Sequence, residues 1–131
     1  MLAETKNWID SSDYDFTTAN HMLQTGRYIY VIFMCHLAIE KLLKGILHEV
    51  TGSLPSKTHD LISLLKLADL QMPDHLSEFI GKINNASVVT RYPEDLTKIL
   101  SAYPASVARD YFNNAREVLE WLKQDKRLRM S

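Results

Sequence analysis

The stretch from Tyr28 to Val50 constrains the fold more than any other part of the chain. It opens with an almost unbroken apolar run, Tyr28-Ile29-Tyr30-Val31-Ile32-Phe33-Met34-Cys35. Ile32, Cys35, Ile39, Leu42, Leu43, Ile46 and Val50 then recur at steps of three and four, which puts them on one face of a helix. The run is shorter than the roughly 20 apolar residues a membrane span needs, and His36, Glu40, Lys41 and Lys44 interrupt its continuation. A helix that is apolar all round at one end is usually buried on every side. This one is expected at the centre of a small bundle.

The flanking segments supply its neighbours. Residues from about Ala3 to Gln24 read as a first helix, with Trp8, Phe16, Ala19, Met22 and Leu23 as a loose apolar stripe. Asp10-Ser11-Ser12-Asp13 offers a second possible start for it, because these residues cap helices well. Gly26 suits a left-handed C-cap position, and the short connection makes the first and central helices antiparallel neighbours. After a loop over residues 51–57, Thr58 or Asp60 can cap a third helix that carries Leu61, Leu64, Leu65 and Leu67-Ala68 to about Leu70. Met72-Pro73-Asp74 breaks it. Leu76, Phe79, Ile80 and Ile83 form a fourth stripe up to about Val89, before Pro93 pushes Tyr92 out of helical geometry. Pro104 can open a last helix with Ala108, Tyr111, Phe112, Ala115, Val118, Leu119 and Leu122 as its buried stripe. The expectation is an all-α, four- to five-helix up-and-down antiparallel bundle. It forms a single domain over residues 1–131 and carries a basic tail from about residue 123.

Charge and motifs exclude several function classes. The formal net charge is −1, so no global field draws the protein to nucleic acid or to an anionic membrane, and any RNA contact must be local. No basic-then-apolar leader opens the chain, so a cytoplasmic location with no membrane association is the expectation. The single cysteine, Cys35, lies within the apolar helix and is expected to be an inert buried side chain. His36 and Glu40 share a helix face, but two ligands do not make a metal site, and their expected role is a polar edge on a mostly buried helix. Glu40 and Lys44 are a favourable i,i+4 pair. There is no paired-cysteine motif and no glycine-rich phosphate loop, so neither a metal nor another cofactor is expected. The basic tail suits a helix C-terminus, with phosphate binding as the lesser alternative.

Arg91 stands out. An arginine followed by Tyr-Pro at a forced bend is a fixed guanidinium with five donors, suited to a phosphate. Tyr92 can stack on a base. The competing reading is that Arg91 pairs with Glu94 or Asp95 and that Tyr92 simply packs. For His59 within Thr58-His59-Asp60, the alternatives are a structural position beside a helix cap and a place in a site.

Together these segments resemble the HEPN domain, a small α-helical family of prokaryotes that also occurs in some animal proteins. The matching stretches are Gly26-Arg27-Tyr28, Ala38-Ile39-Glu40-Lys41-Leu42-Leu43-Lys44, Thr58-His59-Asp60-Leu61, Arg91-Tyr92-Pro93 and Ala115-Arg116-Glu117-Val118-Leu119-Glu120-Trp121-Leu122, in the family's order over nearly the whole chain. The resemblance implies a homodimeric bundle that often stands beside a minimal nucleotidyltransferase in a toxin–antitoxin-like pair. It also implies, for many members, a metal-independent ribonuclease that uses an arginine, four to six residues, and then a histidine. This sequence departs from that pattern. No histidine lies five to seven positions after Arg27, Arg91, Arg109, Arg116, Arg127 or Arg129, and Arg109 reaches only Asn114. Catalysis would need Arg91 as the cation, with His59 or His75 brought to it by the fold or by a second subunit. A guanidinium without a general base binds phosphate better than it cleaves it. Nucleotide or RNA binding through Arg91 and Tyr92 therefore ranks above cleavage, and a plain helical dimerisation module, with Arg91 in a structural ion pair, is the further alternative.

Overall fold

The apolar stripes fold into helices and nothing else. The computed structural model describes residues 1–129. Along the chain these residues form α1 (Ala3–Gln24), α2 (Tyr28–Thr51), α3 (Leu61–Leu67), α4 (Asp74–Arg91), α5 (Leu96–Ala102), α6 (Ala105–Lys123) and α7 (Lys126–Arg129), and no strand occurs among them. The expected all-α bundle is what forms. α5 and the single turn of α7 are short additions to the five helices legible in the sequence.

Helix α2 is the central element, packed against α1, α3, α4 and α6. Ile32, Ile39, Leu42, Leu43 and Ile46 are fully buried, and so is Cys35. Burial pushes the Cys35 thiol far up, so it stays protonated and inert. Val50, placed on the buried face by its spacing, is half exposed, because it lies in the last turn of α2 where the helix leaves the bundle. Tyr30 in the opening apolar run is also half exposed, so that end of the helix is not buried on every side.

Helices α1 and α2 share the most extensive contact and run antiparallel. Leu2 N donates to Glu49 Oε1 (2.9 Å), Lys41 Nζ donates to Ser11 Oγ (2.8 Å), and Ser12 Oγ donates to Ala38 O (2.6 Å), so one chain descends as the other rises. The connection works as its glycine suggests. Gly26 adopts φ +79°, a conformation that other residues enter at a cost, and Arg27 N closes the turn onto Met22 O at 2.8 Å. Asp10 to Asp13 start no second helix, and α1 is continuous.

All seven residues of the α6 stripe are buried, and Phe112 stacks on Phe16 of α1 with ring centroids 4.5 Å apart. Pro104 precedes the first turn of α6 as its N-cap residue. α3 is shorter than its leucines suggest. It stops at Leu67, which is exposed, and Asp69 turns the chain through a left-handed φ of 52°. The basic tail is tied down where it is described: Lys123 pairs with Asp13, and Arg127 pairs with Asp125 and donates to Ala68 O at 2.8 Å. Met130 and Ser131 of that tail lie outside the described residues. Among the described residues no helix is long and apolar enough to cross a membrane.

Candidate functional site

Two of the five motif segments line one cleft, and a third, on α2, lies beneath it. Helix α2 supplies His36, Glu40 and Lys44, spaced by four so that they rise along one face. The loop before α3 supplies His59 and Asp60. Helix α4 supplies Asn84, Ser87, Val88 and Arg91, with Tyr92 at its C-terminal end. The cleft holds about 220 Å³ and is lined by His36, His59, Asp60, Asn84, Ser87, Val88, Arg91 and Tyr92.

Glu40 organises the polar floor beneath it. Its carboxylate is buried, with only 4% of the side chain exposed. It accepts from Lys44 Nζ at 3.1 Å, and its two oxygens lie 3.0 and 3.1 Å from His59 Nδ1. A carboxylate can only accept, so His59 carries its proton on Nδ1. In the neutral ring, Nε2 is then a free acceptor on the solvent side. The His59 side chain is 64% exposed, which leaves that nitrogen accessible to a ligand. His36 and Glu40 were expected as a polar edge of α2. They are instead buried at the helix's packed face, because α3 and α4 close over it.

Asn84 ties the three segments together. Its Oδ1 accepts from Leu61 N at 3.0 Å, and its Nδ2 donates to Asp60 Oδ1 at 3.0 Å, which fixes the amide orientation. His36 Nε2 lies 3.4 Å from the same Oδ1 and must therefore be the donor. Burial pushes the His36 pKa below its usual value, and the Arg91 guanidinium adds to this against the pull of Glu40 and Asn84. His36 is a neutral Nε2–H imidazole. Asp60 is the cap of α3, accepting from Ile62 N at 3.2 Å, while Thr58 Oγ1 braces the turn by accepting from Asp60 N at 3.1 Å. The Asp60 carboxyl is held below its ordinary range by hydrogen bonds from Ser63 first, then from Asn84 and the backbone. His59 is therefore not the cap but the residue before it, turned inward onto Glu40.

Arg91 ends α4 as its last helical residue, two residues beyond the expected boundary. Its guanidinium lies over the Phe33 ring of α2, 4.6 Å from the centroid, and this aromatic platform fixes its direction. Among the described residues no carboxylate pairs with Arg91. Asp95 instead caps α5, accepting from Lys98 N at 3.1 Å, and Glu94 lines a separate groove. Tyr92 is 75% exposed on the rim and does not pack into the core. Of the two histidines considered with Arg91, the fold brings His59 to it. His75 is left at the other end of α4, roughly 24 Å along the helix axis, beside Glu117. Asn84 was not singled out from the sequence, although its place seven residues before Arg91 put both on one face of α4. No group of three or more His, Cys, Asp or Glu side chains among the described residues is arranged to hold a metal.

The bundle has counterparts of known structure. It is similar to an archaeal HEPN homologue, ST0689, at 21% identity and a TM-score of 0.75, covering 93% of this chain and 97% of that one. It is also similar to the protein TT1696 from Thermus thermophilus, at 24% identity and a TM-score of 0.79, covering 94% of this chain and 98% of that one. At such identities the likeness establishes the fold. No curated protein matches the chain. The family model for the HEPN domain matches residues 5–126, nearly the whole length over which the motifs run, and the chain belongs to that family.

Proposed function

We propose that the protein is a nucleotide- or RNA-binding HEPN subunit, homodimeric and cytoplasmic, that works beside a minimal nucleotidyltransferase in a toxin–antitoxin-like pair. Arg91 holds a phosphate, and Tyr92 stacks on or donates to the attached nucleoside. The observation that carries the reading is the guanidinium of Arg91, aimed by Phe33 into a cleft without a carboxylate partner among the described residues. A phosphate supplies the missing counter-charge and accepts in the planar geometry that arginine offers.

Binding of nucleotides and of short single-stranded RNA, measured with EDTA present, tests this. Charge-assisted hydrogen bonds are worth about 1.5–3 kcal/mol, so Arg91→Ala is expected to weaken binding about 10- to 100-fold. Tyr92→Ala is expected to weaken it by a smaller factor. An affinity unchanged in Arg91→Ala removes the site from this reading. Co-purification with a nucleotidyltransferase tests the partnership separately.

The His59–Glu40 pair favours a second reading, metal-independent RNA cleavage. The free Nε2 of His59 can take the proton of a 2′-hydroxyl as that oxygen attacks phosphorus, while Arg91 meets the charge developing on the phosphate. The leaving oxygen also needs a proton. His36 is buried and neutral, and Lys44 is committed to Glu40, so neither is poised to give one. Binding therefore ranks first. Cleavage of labelled RNA in EDTA that is lost in both Arg91→Ala and His59→Ala would promote the second reading, and an inert wild-type protein would remove it.

A further inference from the structure

The cleft at Arg91 holds about 220 Å³, less than the roughly 300 Å³ at the lower end of small-molecule sites. It has room for a phosphate and the sugar beside it, and the base of a nucleotide must lie outside. Val88 and Tyr92, which line this cleft, also line a second cavity of about 640 Å³ between the end of α4 and α5. The two residues are a wall common to both, so the second cavity begins where the first ends. Its sides are apolar, with Val89, Pro93 and Ile99 beside Val88 and the Tyr92 ring. A flat base gains there by stacking on Tyr92 and by covering valines that are otherwise exposed.

The polar groups of this groove are few, and two of them are uncommitted. Glu94 and Lys98 both line it, and neither has an ion pair among the described residues. Asp95 is occupied as the cap of α5, accepting from Lys98 N at 3.1 Å. Two acids against one lysine leave the groove with a negative excess, which turns a phosphate away from it and towards Arg91.

We propose that this groove is the base subsite of the Arg91 site and that Glu94 and Lys98 select guanine. The proposal rests on the phosphate reading above and adds the base and the residues that read it. A carboxylate only accepts, and its two oxygens suit two parallel donors. Guanine alone of the four RNA bases presents two adjacent donors, the ring N1–H and the N2 amino group, with the acceptor O6 next to them for a lysine ammonium. Adenine and cytosine set a ring lone pair beside their amino group, and uracil flanks its single N–H with two carbonyls. Each of these aims an acceptor at one oxygen of Glu94. A site made to receive a hydrogen bond rejects a base that cannot donate it more strongly than an apolar wall distinguishes sizes. The ligand is thus a guanine nucleotide, free or at an unpaired position of an RNA.

The test is calorimetric titration of the full chain, with EDTA present. The probes are the four nucleoside monophosphates and a short oligouridylate with and without one guanosine. The guanosine probe of each kind is expected to bind about 10-fold more tightly than its counterparts. Glu94→Gln keeps the shape of the side chain but replaces one acceptor by a donor, and it is expected to remove that preference. Glu94 is exposed and unpaired, so this change leaves the fold intact. Arg91→Ala is expected to weaken all the probes alike. A preference among the free monophosphates assigns a nucleotide, one seen only in the oligonucleotides assigns RNA, and either supports the subsite. Equal affinities for all four bases that fall together in Arg91→Ala overturn the guanine subsite and leave the phosphate site standing. A guanine preference that survives Glu94→Gln overturns the assignment to this groove. Binding of none of the probes overturns both readings.

Discussion

Replacing Glu40 with leucine is expected to destabilise the protein by about 3–5 kcal/mol, and adding Lys44→Met is expected to restore most of that loss. The reason is the position of the pair. Glu40 and Lys44 lie on the packed face of α2, 3% and 7% exposed, where an ammonium without its carboxylate has little water to replace it. Removing the acid alone leaves Lys44 charged and uncompensated. Removing both substitutes apolar side chains of similar length in a setting already walled by α3 and α4. For a domain of this size the single change should lower the melting temperature by about 10–20 °C. Urea denaturation of the wild type, both single variants and the double variant gives the coupling energy directly. A double variant no more stable than Glu40→Leu would mean that His59, not Lys44, is the partner that matters. The cluster would then be held by its loop and not by its helix.

The same residues mark the limit of what the sequence could tell. The stripes of α2, α4 and α6 were legible because a helical period of 3.6 leaves a local signature, and every residue of the α6 stripe is buried as its spacing requires. Leu67 and Val50 misled because periodicity says which face a residue is on, not where the neighbouring element ends. α5 left no expectation at all: its few apolar residues, set between two prolines, find no core. Arg91, Tyr92 and His59 could be marked as residues suited to phosphate, bases and proton transfer. That His59 faces Glu40, and that Arg91 leaves Glu94 and Asp95 alone, depends on how a loop crosses two helices. Contacts between residues 19 or 48 positions apart, such as His59–Glu40 and His36–Asn84, carry no local signature. Asn84 was the hardest to foresee, since its role is to join three segments and none of them alone requires it.

Gly45→Val is expected to cost about 3 kcal/mol, while Gly81→Ala is expected to add about 0.5–1 kcal/mol. Both glycines sit inside helices, where the lack of a side chain is a local disadvantage. They differ in what faces them. A Cβ on Gly45 would stand 3.0 Å from Trp8 Cβ and 3.6 Å from Thr5 O, where α1 packs against α2. Trp8 Cβ is bonded to the α1 backbone, so no rotamer change moves it away, and the methyls of valine would force the two helices apart. Alanine at the same site trades a contact tight by a few tenths of an ångström against better helix propensity and should be close to neutral. A Cβ on Gly81 meets nothing within 4 Å, so only the propensity term remains. Chemical denaturation of the three variants separates these effects. A Gly45→Val protein with an unchanged midpoint would mean that α1 can shift on α2 without loss. That would contradict the continuous antiparallel contact from Leu2–Glu49 to Ser12–Ala38, which otherwise holds α1 in one register.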